Sequence, residues 1–317
     1  MCFRFGYKGL IVKFATMANF KGIIFIIGSL LLFLVSCSPE KKTDDQEFLK
    51  SLEATTEKAG IDEEVINSIL DQIPSPLEIS VLLKESGSKF DGLLLNNSDN
   101  LPKYNSNFKK ALNLGVFGTD LGYINIYGQN QEGIRYISSV KSLADDLNLG
   151  QFFDIETIGR LIVNSKNLDS LLLLTTLNFN HINHYLQTEG RDNLSVLLLT
   201  GGWIEAMQIT CQVAAKKPSQ ELFDKIGEQK IVLEQIQLLF SFYKDDSTMA
   251  GLLKDIEQLR STYDKISITY TYKESSMEIV NGVAVIKDNS TTTIDITEQH
   301  VAEIRNITNA IRTKIIS

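Results

Sequence analysis

The chain has 317 residues, 43% of them hydrophobic and 22% charged, and carries 31 basic against 39 acidic side chains. That supplies enough apolar material for one large core or two modest domains. The net charge of −8, with no basic stripe, excludes a nucleic-acid partner, because an acidic surface repels phosphate backbones.

Residues 1–36 hold Arg4, Lys8, Lys13 and Lys21 and no acidic residue, and then run apolar or small from Gly22 to Val35. A positive start, an apolar stretch of about 7–15 residues and a small residue before the cut are the parts of a secretory signal. The stretch is short of the roughly 20 residues a spanning helix needs, which favours removal over a permanent span. It closes on Leu34-Val35-Ser36-Cys37, which resembles the lipobox of bacterial lipoprotein signals. The resemblance implies that the Cys37 thiol is diacylglycerylated and becomes the first residue of the mature chain. Met17 offers a second start, since Met17 to Ser36 is a compact signal on its own. Of the three cysteines, Cys2 goes with the signal and Cys37 carries lipid, so Cys211 has no partner for an intramolecular disulfide. Losing four basic residues leaves 27 against 39, a net charge of −12, so attachment to a membrane must come from the acyl chains.

Ser38 to Gln46, SPEKKTDDQ, has no apolar residue and reads as a flexible tether over 37–46. Ser38 stands where an aspartate is the inner-membrane retention signal in enteric bacteria, which points to the outer membrane, facing the periplasm or the cell exterior. A helical domain is expected over 47–265. Phe48, Leu49 and Leu52, then Val65, Ile66, Ile69, Leu70 and Ile73, recur at spacings of three and four, with Gly60 between the two helices. Pro74 and Pro76 end the second and allow a new start at Leu77. Further helices are expected at 77–86, 103–127, 130–148, 154–164, 167–188, 192–215, 219–243 and 247–265. Their separators are Gly150, the 164–167 turn, Gly190, Pro218 and the 244–246 cluster. The short connections predict antiparallel neighbours.

The period changes at Ile266. Ile266, Ile268, Tyr270 and Tyr272 alternate with polar residues as in a half-buried strand. Asn281-Gly282 between two apolar runs is a hairpin signal, and Thr291–Ile296 makes another strand. Thr297 suits the N-cap of a last helix with Val301, Ile304, Ile307, Ile311 and Ile315 on one face. The expected fold is therefore mainly α: an antiparallel multi-helix bundle, with a small antiparallel sheet and a final helix over 266–317 packed on the same body.

Three constellations carry possible chemistry. His181 and His184 lie three apart, so both imidazoles can reach one metal from a helix face, but no third ligand follows at a standard spacing. Two surface histidines are the plainer reading, and no cofactor is expected. The second is a pair of glycine-punctuated apolar runs, Leu114 to Tyr123 and Thr200 to Glu205. Gly115, Gly118 and Gly122 share one helix side and read as a tight crossing with Gly201 and Gly202, since each glycine costs up to ~1 kcal/mol against alanine. The third is the polar content of those runs. Asp120 and Glu205 among apolar neighbours need partners, which the plainer reading finds for each in a nearby Arg, Lys or backbone group. If their helices pack, two carboxylates can approach and raise one pKa, with Tyr123, Tyr127 and Trp203 walling a pocket. Cys211 lacks a basic neighbour and reads as a core residue.

The Gly115–Tyr123 and Gly201–Glu205 segments, with the lipobox, resemble helical envelope lipoproteins common in Bacteroidota, a group that brings address and fold but no activity. The functional expectation is a lipid-anchored envelope module, non-enzymatic, that engages a small ligand, a glycan or an envelope protein. The alternative is an envelope hydrolase working through Asp120 and Glu205.

Overall fold

The computed structural model describes residues 63–70, 73, 76–154, 168–280 and 283–317. Cys37, the export segment, the tether, the helix expected from Glu47, all but the first residue of the 154–164 helix and the Asn281-Gly282 turn lie outside the described residues. Residues 59–317 form one compact unit.

Helices dominate it in this order: α1 (Glu63–Leu70), α2 (Pro76–Glu85), α3 (Asn107–Ile126), α4 (Asn130–Asp146), α5 (Leu168–Thr188), α6 (Asp192–Lys216), α7 (Gln220–Ser241) and α8 (Ser247–Tyr263). Strands β1 (Ser267–Thr271), β2 (Ser276–Val280), β3 (Val283–Lys287) and β4 (Thr291–Asp295) follow, and α9 (Glu298–Ile316) closes the chain. The starts obey local chemistry. Ser106 and Ser219 each accept an amide from their own first turn, so α3 begins at Asn107 rather than at the expected 103. The segment before it is a 3-10 turn, Ser98–Lys103, that contains Pro102. Gly128 and Gly190 take positive φ where the chain reverses before α4 and α6.

The centre of the body is α6. It is apolar on every side, and 19 of its 25 residues are buried. Its length and hydropathy would suffice to cross a bilayer, yet its most apolar stretch is 94% buried inside the protein. A helix hydrophobic all round is a core helix when other helices enclose it. Thr200 and Thr210 fit this setting by donating their hydroxyls to the carbonyls of Val196 and Ala206, one turn back at 2.7 Å each. Around α6 pack α2, α3, α5, α7 and α9.

The strands make two ladders in series. β1 pairs with β4 from Ser267↔Asp295 to Thr271↔Thr291, and β2 pairs with β3 from Ser276↔Lys287 to Val280↔Val283. The body grips the base of this ribbon, where Ile294 sits so close to Gly227 of α7 that a Cβ there would lie 2.6 Å from its methyl. Ile268 is half-buried, while Tyr270 and Tyr272 are exposed, so the half-buried alternation expected along β1 fades after its second residue. A two-stranded ribbon has no layer beneath it to bury a whole face.

Thr297 caps α9, accepting the His300 amide at 3.2 Å while its own N–H donates to His300 Nδ1 at 3.3 Å. The buried stripe of α9 is Val301, Ile304, Thr308, Ile311 and Ile315. Ile307 is half-buried, and Thr308 takes the place that the apolar spacing gave it.

Candidate functional site

The two glycine runs meet. A Cβ on Gly115 would lie 2.0 Å from the Leu198 carbonyl oxygen and 2.7 Å from the Gly202 nitrogen. One on Gly201 would lie 2.0 Å from the Leu112 carbonyl oxygen. Backbone therefore touches backbone between α3 and α6, which only glycine permits. Thr119 reinforces the contact, donating to the Gly202 carbonyl at 3.2 Å. Gly118 behaves differently: nothing stands within 4 Å of its would-be Cβ, and it is exposed.

One turn along, the crossing brings Asp120 and Glu205 together, both with no exposure. Arg312 of α9 grips Glu205 with both arms, Nε to Oε2 and Nη2 to Oε1 at 2.6 Å each, and Nη2 also donates to the Leu94 carbonyl at 3.0 Å. Asp120 Oδ2 accepts the Asn96 amide at 3.1 Å, and Oδ1 has no hydrogen-bond donor. Tyr136 and the Asn96 side chain build the shell, Tyr136 donating to the Asn96 carbonyl at 2.9 Å and Asn96 Nδ2 donating to the Tyr104 hydroxyl at 3.0 Å. Burial, and next the Glu205 carboxylate beside it, hold the Asp120 carboxyl well above the usual carboxylate range. Burial opposes the charge on Arg312, but the pull of Glu205 outweighs it and the guanidinium is held more firmly protonated.

The aromatic residues separate. Tyr123 and Tyr127 meet at a tilt of 51° with 4.8 Å between ring centroids, and Phe90 stacks on Tyr123 at 5.4 Å. Trp203 turns to α7, donating its indole N–H to Gln229 Oε1 at 3.0 Å. Tyr123, Tyr127, Trp203 and both carboxylates stay out of an apolar cleft found elsewhere among the described residues. That cleft, of about 140 Å³, opens between α3, α5 and α6. Leu114, Phe179, Ile182, Leu198 and Leu199 give it apolar walls, Gly118 leaves room on one side, and Thr176, Asn178 and Asn180 add hydrogen-bonding groups.

His181 and His184 are both exposed on α5, and among the described residues no three His, Cys, Asp or Glu side chains gather as metal ligands. Cys211 is fully buried in α6, and burial pushes its thiol up to about 12.

Sequence reasoning missed Arg312 and the α5 wall of the cleft. A signal for Arg312 existed: it follows Ile311 and stands four residues after Thr308 and three before Ile315, beside the buried stripe. Phe179 and its neighbours carried none, because an apolar α5 looks the same whether its face is filled or open. No family model, curated protein or solved structure matches the chain.

Proposed function

We propose that the protein is a lipid-anchored module of the cell envelope that holds a small, mostly apolar ligand in the cleft between α3, α5 and α6. The observation that carries this reading is the cleft itself. Its volume of about 140 Å³ is close to the ~150 Å³ of an apolar cavity that takes up benzene. The size suits a single ring or the end of an acyl chain, and the Thr176, Asn178 and Asn180 side chains suit one polar group on it. The anchor half of the proposal rests on the Leu34–Cys37 lipobox and the apolar run before it.

The hydrolase alternative has less support. A carboxylate pair that splits bonds must meet water and substrate. Asp120 and Glu205 are wholly buried, and Glu205 spends both oxygens on Arg312.

Thermal denaturation of the full chain with toluene, indole or hexanoate tests the cleft. At least one probe should raise the melting temperature saturably. Gly118→Leu, whose side chain enters open space, should abolish that shift while leaving the unliganded protein folded. No saturable shift from any probe, or a shift unchanged by Gly118→Leu, would end the ligand reading. Mass spectrometry of the cellular protein tests the anchor: an unmodified Cys37 with residues 1–36 still attached would remove it.

A further inference from the structure

The described core contains two carboxyl groups and one guanidinium with no exposed carboxylate among them, and this charge count has a consequence for α9. Asp120 comes from α3, Glu205 from α6 and Arg312 from α9. Glu205 is matched by Arg312 on both oxygens, whereas Asp120 receives one backbone N–H on Oδ2 and nothing on Oδ1. Two acceptor oxygens cannot rest against each other in a dry core unless a proton lies between them.

We propose that Asp120 and Glu205 share a single proton in the folded protein at neutral pH, and that this neutral Asp120–Glu205–Arg312 cluster is a pH-sensitive latch fastening α9 to the α3–α6 crossing. The proton sits on Asp120 Oδ1 and is donated to the Glu205 carboxylate, which keeps both of its contacts to Arg312. Two carboxyls with one proton and one guanidinium sum to no net charge. The remaining titratable groups facing the cluster are the hydroxyls of Tyr104 and Tyr136, both pushed upward by burial first, so they stay neutral across the working range. Raising the pH removes the shared proton and leaves two negative charges against one positive where neither carboxylate has any exposure. Relief comes from parting α9 from the α3–α6 crossing far enough for solvent to enter along Arg312, whose side chain is already 12% exposed, while the guanidinium keeps its hold on Glu205.

The direction of the effect follows from linkage. The folded state binds one proton more than the unfolded chain, in which Asp120 is an ordinary aspartate. The stabilisation is full below the unfolded value and is lost as pH climbs toward the raised folded one. Across that interval the unfolding constant rises up to about tenfold per pH unit.

Asp120→Asn is the informative variant. Its Oδ1 can accept the Asn96 amide and its Nδ2 can donate to Glu205, a permanent copy of the protonated form. Urea unfolding of the full chain from pH 5 to 9 should show the unfolding constant of the wild type rising relative to the variant by one proton's worth. Hydrogen exchange corrected for intrinsic rates should show α9 losing protection at high pH in the wild type and keeping it in Asp120→Asn. Infrared spectroscopy of the wild type at neutral pH reads the proton directly and needs no variant to fold: a protonated carboxylic acid band is expected. Absence of that band overturns the proposal, as do parallel pH profiles for the two proteins or α9 protection that falls equally in both.

Discussion

Adding one carbon to Gly115 should cost more stability than truncating a typical core side chain by one. The new Cβ would stand 2.0 Å from the Leu198 oxygen and 2.7 Å from the Gly202 nitrogen. Both obstacles are α6 backbone, which has no rotamer to escape into, so α3 and α6 must part by roughly 1 Å along their contact. A gap of that size forfeits about a quarter to a half of each dispersion well across it. Overpacking of this kind costs about 1–3 kcal/mol, and backbone obstacles put it at the top of that range. Alanine returns about 1 kcal/mol of helix propensity, so Gly115→Ala should lose about 2 kcal/mol or more. Gly118→Ala, three residues on in the same helix, meets nothing within 4 Å and should keep the propensity gain, up to about 1 kcal/mol. Urea denaturation followed by the fluorescence of Trp203, the only tryptophan, measures both. Finding Gly115→Ala as stable as Gly118→Ala would refute the backbone contact as the origin of these glycines.

Arg312→Met should destabilise the fold by about 3–5 kcal/mol, because Glu205 would be left as a buried carboxylate without a counter-charge. Adding Glu205→Gln should recover much of that loss, and a denaturation double-mutant cycle reads the coupling. Cys211 should resist a thiol reagent in the folded protein and react once urea unfolds it. Its burial and a thiol pushed up to about 12 leave almost no accessible thiolate at neutral pH, and rapid labelling under native conditions would contradict the packing of α6.

What could be read in advance follows what periodicity encodes. The order of helices, the strand segment after Ile266 and the Thr297 cap were legible because each is written within a few adjacent residues. The meeting of Gly115 with Gly201 and Gly202 was legible for a different reason: glycines that weaken a helix ask for a close neighbour, and two such runs supply each other. The same logic misled at Gly118, which shares the spacing but borders the cleft. Tyr123 and Trp203 stood near the carboxylates in sequence, yet helix rotation sends them to Phe90 and Gln229. Asn96 was out of reach, and Arg312 was legible only as a basic residue beside a buried stripe, since neither a lone loop amide nor a single basic residue says which distant carboxylate it will meet.

The Arg312–Glu205 contact joins residues 107 apart, and Arg312 to Leu94 joins residues 218 apart. Until α9 has been made, the nascent chain has its acidic pair but not the cation that neutralises it. The central helices then have reason to stay unassembled until α9 arrives. Contacts this distant also form slowly. Arg312 is in this sense a late-arriving keystone for the central helices.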